Sequence, residues 1–231
     1  PRLTAALRVR PPLVLKDKYF ASAVASAMKI VVYGPDRRVG ALLDGFVVDL
    51  GPDLGALIES GRAGLADAEK RLAAVRAAGL RAVDGSVYDA KTVKLHAPQV
   101  RGARVACISG NFADHTYGVD AAADATEGHG GAALPEADQQ HKEIRERGNY
   151  GFWKIARDAA GPEGEVPYPT RTKLLDYESE LAIVIGKRGK DIKAAELPEY
   201  VWGVTLFQDY SVRDGFRKGA TQYKLDKNFD A

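Results

Sequence analysis

Hydrophobic positions in residues 28–50, MKIVVYGPDRRVGALLDGFVVDL, fall in short runs separated by the turn signals GPDRR and LDG. β-Branched runs bounded by Gly, Pro and Asp predict a small antiparallel meander. The period then changes. Across residues 53–79, Leu54, Leu57, Ile58, Leu65, Leu72 and Val75 recur near helical spacing. That spacing predicts helix, broken around Gly61 and closing at Gly79. SVYDAKTVKLHAP and ARVACISGN return to strand character. Residues 116–150 hold Gly-Gly, a proline and scattered charges without a sustained apolar period. A polar segment this long in a compact domain reads as a lid or as disorder. Two further strands are predicted beyond it. One is the apolar run 181–186 in KLLDYESELAIVIGKRGKDI, read as buried; the other is YVWGVTLFQDYSVRD, read as a second buried strand ending at Asp209.

These elements predict a mainly β protein with an α+β N-terminal part. Residues 28–95 form the small N-terminal domain and 96–231 a β-rich domain with the insertion 116–150. Residues 1–27 carry several arginines and a single acid, Asp17. They read as non-native upstream sequence or, alternatively, a transit-like presequence, since MKIVVYG has the look of a natural start. At the other end YKLDKNFDA closes on no helix or tail, so the chain is expected to be C-terminally truncated.

The chain has 231 residues, 45% hydrophobic and 28% charged, with 33 Lys and Arg against 31 Asp and Glu. A net charge of +2 argues against a nucleic-acid partner. No apolar run approaches the ~20 residues that cross a bilayer, so no membrane partner is expected. A single cysteine, Cys107, excludes an intramolecular disulfide and fits a reducing, cytoplasmic setting. Within the apolar VACISG it reads as a buried, inert thiol rather than a nucleophile.

Candidate chemistry lies at the head of the apolar run. In a strand, Glu178 and Glu180 share a face, so two carboxylates stand side by side at the edge of an apolar interior. Like charges that close repel and lose hydration. Either the face is solvated, or a cation compensates. A divalent ion bound by both glutamates and by Asp209, at the end of VTLFQD, would do so and leave positions open for a ligand.

Several stretches together resemble the fumarylacetoacetate hydrolase family: ISGNFADH (residues 108–115), FWK (152–154), LDYESELAIVIGKRGKDI, YVWGVTLFQDYSVRD and KLDKNFD (224–230). The opening MKIVVYGPDRRVGALLDGFVVDL is similar to the small leading domain of its bacterial members. The resemblance implies that family's mixed β-sandwich or rolled β-barrel core and a homodimer. It implies Glu178, Glu180 and Asp209 as metal ligands, with Gln208 where Asn is more usual before the aspartate. Lys227 matches the lysine facing the substrate's carbonyl or enolate oxygen; without the family it reads as a solvated lysine. Lys154 matches a lysine that often points toward the site, and a surface lysine is the other reading. His115 matches a general base that often pairs with a glutamate three positions later, where this chain has Gly118. Glu127 and His129 of the lid are the candidate replacements, or else solvated loop residues. His96 is read as structural.

The function implied is a Mg²⁺- or Mn²⁺-dependent hydrolase (Ca²⁺ being the third candidate ion) that cleaves a carbon–carbon bond in an acylpyruvate-like or β-diketo acid. Stabilised enolates also lead to decarboxylation, isomerisation or hydration of a 2-oxo acid. A catalytically silent oxo-acid or cation-binding protein is the reading from another class.

Overall fold

The turn signals close hairpins where the sequence places them. The structure, a computed structural model, describes residues 28–81, 85–110, 139, 142, 143, 146, 148, 150–154, 159–214 and 225–229. Strands β1 (Lys29–Tyr33), β2 (Arg38–Leu43) and β3 (Phe46–Gly51) form an antiparallel meander. Between β2 and β3, Asp44 and Gly45 both take positive φ (50° and 88°) in a two-residue loop. Such a loop matches the twist of the strands it joins. The segment expected as one strand, SVYDAKTVKLHAP, is instead two: β4 (Val87–Asp89) and β5 (Leu95–His96). Asp89 causes the break, because its carboxylate accepts from Lys91 N and its carbonyl from Thr92 N and Oγ1. The two pieces then pair on opposite edges, giving the order β4-β3-β2-β1-β5.

Helices α1 (Leu54–Glu59) and α2 (Gly61–Ala77) cover this sheet and are broken next to Gly61, as the spacing predicts. Asp53 caps α1 by accepting from Ala56 N at 2.8 Å. Gly79, at φ 70°, reverses the chain after α2, and the Leu80 amide bonds back to Val75 O. Val32, Val39, Leu54, Leu57 and Ile58 make one core cluster; Leu43, Val48 and Val75 make another. Beneath the sheet Asp49 accepts from Tyr33 and from both Arg38 Nε and Nη2, at 2.6 and 2.7 Å. Burial pushes the Asp49 carboxyl up, but those hydrogen bonds and the Arg38 and Arg71 charges outweigh it, so its pKa lies below the usual carboxylate range. His96 bonds Gly34 O at 2.8 Å, a structural role as expected.

The second half is built from antiparallel ribbons. β6 (Val105–Ser109) pairs with β7 (Tyr150–Lys154), and β9 (Ser179–Ile185) with β10 (Val201–Gln208). Gly151 lets β6 and β7 meet: a Cβ there would lie 2.3 Å from Cys107 O. β8 (Leu175–Asp176) and β11 (Ser211–Val212) continue the β9–β10 register, with Asp176 opposite Ser211 just as Ser179 is opposite Gln208. One face of this long ribbon turns inward. Its Val184 and Trp202 pack on the Val32–Leu54 cluster, which ties the ribbon to the first sheet.

The other face corrects an expectation. β9 and β10 are buried on one side only: Leu181, Ile183, Ile185, Val204 and Leu206 are all exposed, Leu206 at 82%. The all-apolar β9 sequence conceals this alternation, which appears plainly in its burial.

Candidate active site

The ribbon register brings the acids together. Glu178 lies directly across from Asp209, whose amide donates to Glu178 O at 2.8 Å. Opposite residues of an antiparallel pair share a face. Asp176, Glu178 and Glu180, two apart along the chain, point the same way. Both Glu178 and Asp209 are buried, at 7% and 2% exposure, which removes the solvated-face reading for Glu178, while Glu180 is half-buried.

Three cations answer these charges. Lys227, only 3% exposed, donates from Nζ to Glu178 Oε2 at 2.5 Å and to Asp209 Oδ2 at 2.9 Å. Its Nζ also lies 5.4 Å from the centre of the Phe152 ring. Lys154, at the end of β7, donates to Asp209 Oδ1 and, at 2.9 Å, to Tyr210 O. Arg213 spans the other flank, donating from Nη2 to Glu178 Oε1 and from Nε to Asp176 Oδ2 at 2.8 Å. The carboxylates are therefore held by ammonium and guanidinium groups, each shared with a neighbour. Buried charges persist when paired and hydrogen-bonded in this way.

Glu178, Asp209, Lys154 and Lys227 thus come together. Glu180 sits on the same face one step along, opposite Phe207. Among the described residues no three His, Cys, Asp or Glu side chains converge closely enough to hold an ion. His115, Glu127 and His129 lie outside the described residues. Asp176 and Arg213 belong to the cluster and were not singled out from sequence. The signal for Asp176 was available, because the two-residue period of Glu178 and Glu180 extends back to it.

Cys107 faces the same cluster from β6. Burial pushes its thiol up to about 11, and the Asp209 carboxylate adds to that rise, against lowering by Lys154 and Lys227. Cys107 is half-buried rather than buried, and the inert-thiol reading agrees with this direction.

A family model described as fumarylacetoacetate (FAA) hydrolase C-terminal matches residues 104–231, more than half of the chain. The chain belongs to the fumarylacetoacetate hydrolase family. "Oxaloacetate tautomerase FAHD2A, mitochondrial" of Homo sapiens is 30% identical over 189 residues, 81% of this chain and 50% of that protein. The solved fumarylacetoacetate hydrolase of Exiguobacterium antarcticum superposes with a TM-score of 0.54 at 20% identity, covering 88% of this chain and 63% of that one. This likeness shows the family's fold. Maleylpyruvate hydrolase from Sphingobium sp. SYK-6, solved with manganese(II) and pyruvate, has a TM-score of 0.52 at 17% identity, with 88% and 63% covered. The chain spans half or less of the length of the first curated relatives it matches.

The donor set suits a divalent cation in kind. Carboxylate oxygens are the ligands a hard ion takes. Glu178 and Asp209 already converge on one positive centre, the Lys227 ammonium, and are the residues that would hold such an ion.

Proposed function

We propose that this chain carries an enolate-stabilising site for a small 2-oxo acid. The observation that carries the reading is the convergence of the buried Glu178 and Asp209 carboxylates on Lys227. A divalent ion, Mg²⁺ or Mn²⁺, taken up by Glu178 and Asp209, with Glu180 drawn in from the same face to complete the set, would supply Lewis-acid polarisation of the substrate's 2-oxo-carboxylate end. Lys227, released from the carboxylates, donates to the substrate oxygen on which negative charge develops. Lys154 and Arg213 hold Asp209 and Glu178 in place through their second oxygens. The proton on the carbon next to the carbonyl leaves to a base, a role that falls to His115 or to Glu127 or His129 of the 116–150 segment.

Tautomerisation needs only this enolate-holding set and one base; hydrolysis also needs a positioned water. The convergence of Glu178, Asp209 and Lys227 supports the first requirement. The human relative bears the name oxaloacetate tautomerase. Keto–enol tautomerisation of oxaloacetate therefore comes first, and carbon–carbon hydrolysis of an acylpyruvate, first by sequence, comes second.

The two are separated by following enol absorbance of oxaloacetate and product release from a panel of acylpyruvates, each with Mg²⁺ or Mn²⁺. Faster enol–keto exchange without cleavage supports the tautomerase. Cleavage of an acylpyruvate supports the hydrolase. Oxalate binding by calorimetry without turnover of either would leave a silent oxo-acid-binding protein, and neither binding nor turnover would end the proposal.

A further inference from the structure

Lys227 lies on a short segment with little regular structure of its own, yet its ammonium must meet two carboxylates. A single guanidinium grips this segment on both sides of Lys227. Arg171 donates from Nη1 to Asp226 Oδ1 at 2.6 Å and from Nη2 to Leu225 O at 3.1 Å. Its Cζ also lies 5.7 Å from the centre of the Phe229 ring. The Asp226 side chain is fully buried, whereas that of Arg171 is 42% exposed. A buried carboxylate is retained at such a position only where it is paired, and its loss of freedom fixes the backbone that bears it.

Arg171 is itself anchored. Next to it Thr172, buried, donates from Oγ1 to Asp214 Oδ1 at 2.5 Å, and Lys173 N donates to Asp214 Oδ2 at 3.0 Å. Asp214 follows directly on Arg213, which grips Glu178. The far side of the Lys227 turn is tied as well: Asn228 N bonds Leu225 O at 3.2 Å, and Asn228 Nδ2 bonds Trp153 O at 3.2 Å. One strap of contacts therefore runs from the end of β11 through residues 171–173 to Asp226, adjacent to Lys227.

We propose that Arg171 is a positioning residue which, through the buried Asp226 carboxylate, sets the turn that delivers Lys227 to the Glu178–Asp209 pair. The consequence for catalysis rests on the enolate reading above; the positioning itself does not. Arg171 touches neither Glu178 nor Asp209 in any described contact, so its influence passes through the 225–229 backbone. A lysine at 171 could keep the charge pair with Asp226 but not the simultaneous bond to Leu225 O.

The test compares Arg171→Gln, Arg171→Lys and Asp226→Asn with the unaltered chain. Lysine accessibility is measured by brief acylation and peptide mass spectrometry, and kcat and KM for oxaloacetate are followed in parallel. Losing a hydrogen bond to a buried charge opens the site on the order of tenfold or more, so Lys227 labelling should rise by about that factor in Arg171→Gln and Asp226→Asn. Labelling of Lys154 should stay level, and Arg171→Lys should fall between. The same variants should lower kcat with little change in KM, since the turn serves the developing charge. Unchanged Lys227 labelling in the folded variants overturns the proposal, and so does an equal rise at Lys154, which would mean general loosening. If the unaltered chain turns over no oxo acid while the Lys227-selective rise is still seen, positioning stands and the enolate reading falls.

Discussion

Replacing Lys227 by methionine keeps most of the side chain's length and removes its charge from between two buried carboxylates. At 2.5 and 2.9 Å each attraction amounts to roughly 6 kcal/mol gross at an effective dielectric near 20. Most of that is offset by the dehydration of the three ions. What remains on breaking a buried pair is about 3–5 kcal/mol, because the partner charges stay buried without their counter-ion. Lys154 on Asp209 and Arg213 on Glu178 persist, which puts the loss near 3 kcal/mol. For a chain of this size that lowers Tm by about 6–12 °C. The assay is thermal unfolding by circular dichroism, in EDTA and in saturating Mn²⁺. In EDTA the variant should show the full drop. With Mn²⁺ it should recover most of it, since at about a hundred times Kd a bound ion adds ~2.7 kcal/mol. The Mn²⁺ shift should also exceed that of the unaltered chain, in which the ammonium competes for the same oxygens. A variant as stable as the parent in EDTA, or one that gains no more from Mn²⁺ than the parent, would refute the reasoning.

Two further outcomes concern other groups. Because Asp49 titrates below the ordinary carboxyl value, its contribution is whole above the unfolded pKa of about 3.9 and is lost as pH falls through the lowered folded value. Asp49→Asn should therefore be less stable than the parent at neutral pH and show a flatter decline below about pH 4, read from urea midpoints against pH; parallel acid limbs would contradict this. With its thiol raised to about 11, Cys107 should react with iodoacetamide at pH 8 on the order of a hundredfold more slowly than an unperturbed cysteine. Labelling as fast as in a denatured control would contradict the assignment.

Much of the site was legible because it is local. Glu178 and Glu180 obey a two-residue period, and the hairpin joining β9 to β10 sets Asp209 opposite Glu178. What counters the charge was not legible by period alone. Arg213 and Lys227 reach Glu178 from 35 and 49 residues away, and Arg171 reaches Asp226 across 55. Choosing which cation meets which acid is a matter of tertiary packing. The family resemblance supplied Lys227; it assigned nothing to Arg171 or Asp226. In the fold, the N-terminal meander and the helix break at Gly61 followed from turn and helix chemistry. The strand expected across Asp89 failed because that residue's carboxylate and carbonyl both serve a turn. The burial of β9 was overestimated because Leu, Ala, Ile and Val on alternate faces look alike in composition, while only one face packs against the Val32–Leu54 cluster.

Calorimetric titration of Mn²⁺, with and without oxalate, into the chain and into Glu178→Gln and Asp209→Asn reaches the central claim most directly. One ion should bind the unaltered chain and bind more tightly with oxalate, and each amide should weaken it by about tenfold or more while the far-ultraviolet spectrum holds. Equal Mn²⁺ affinity in all three proteins would contradict the account.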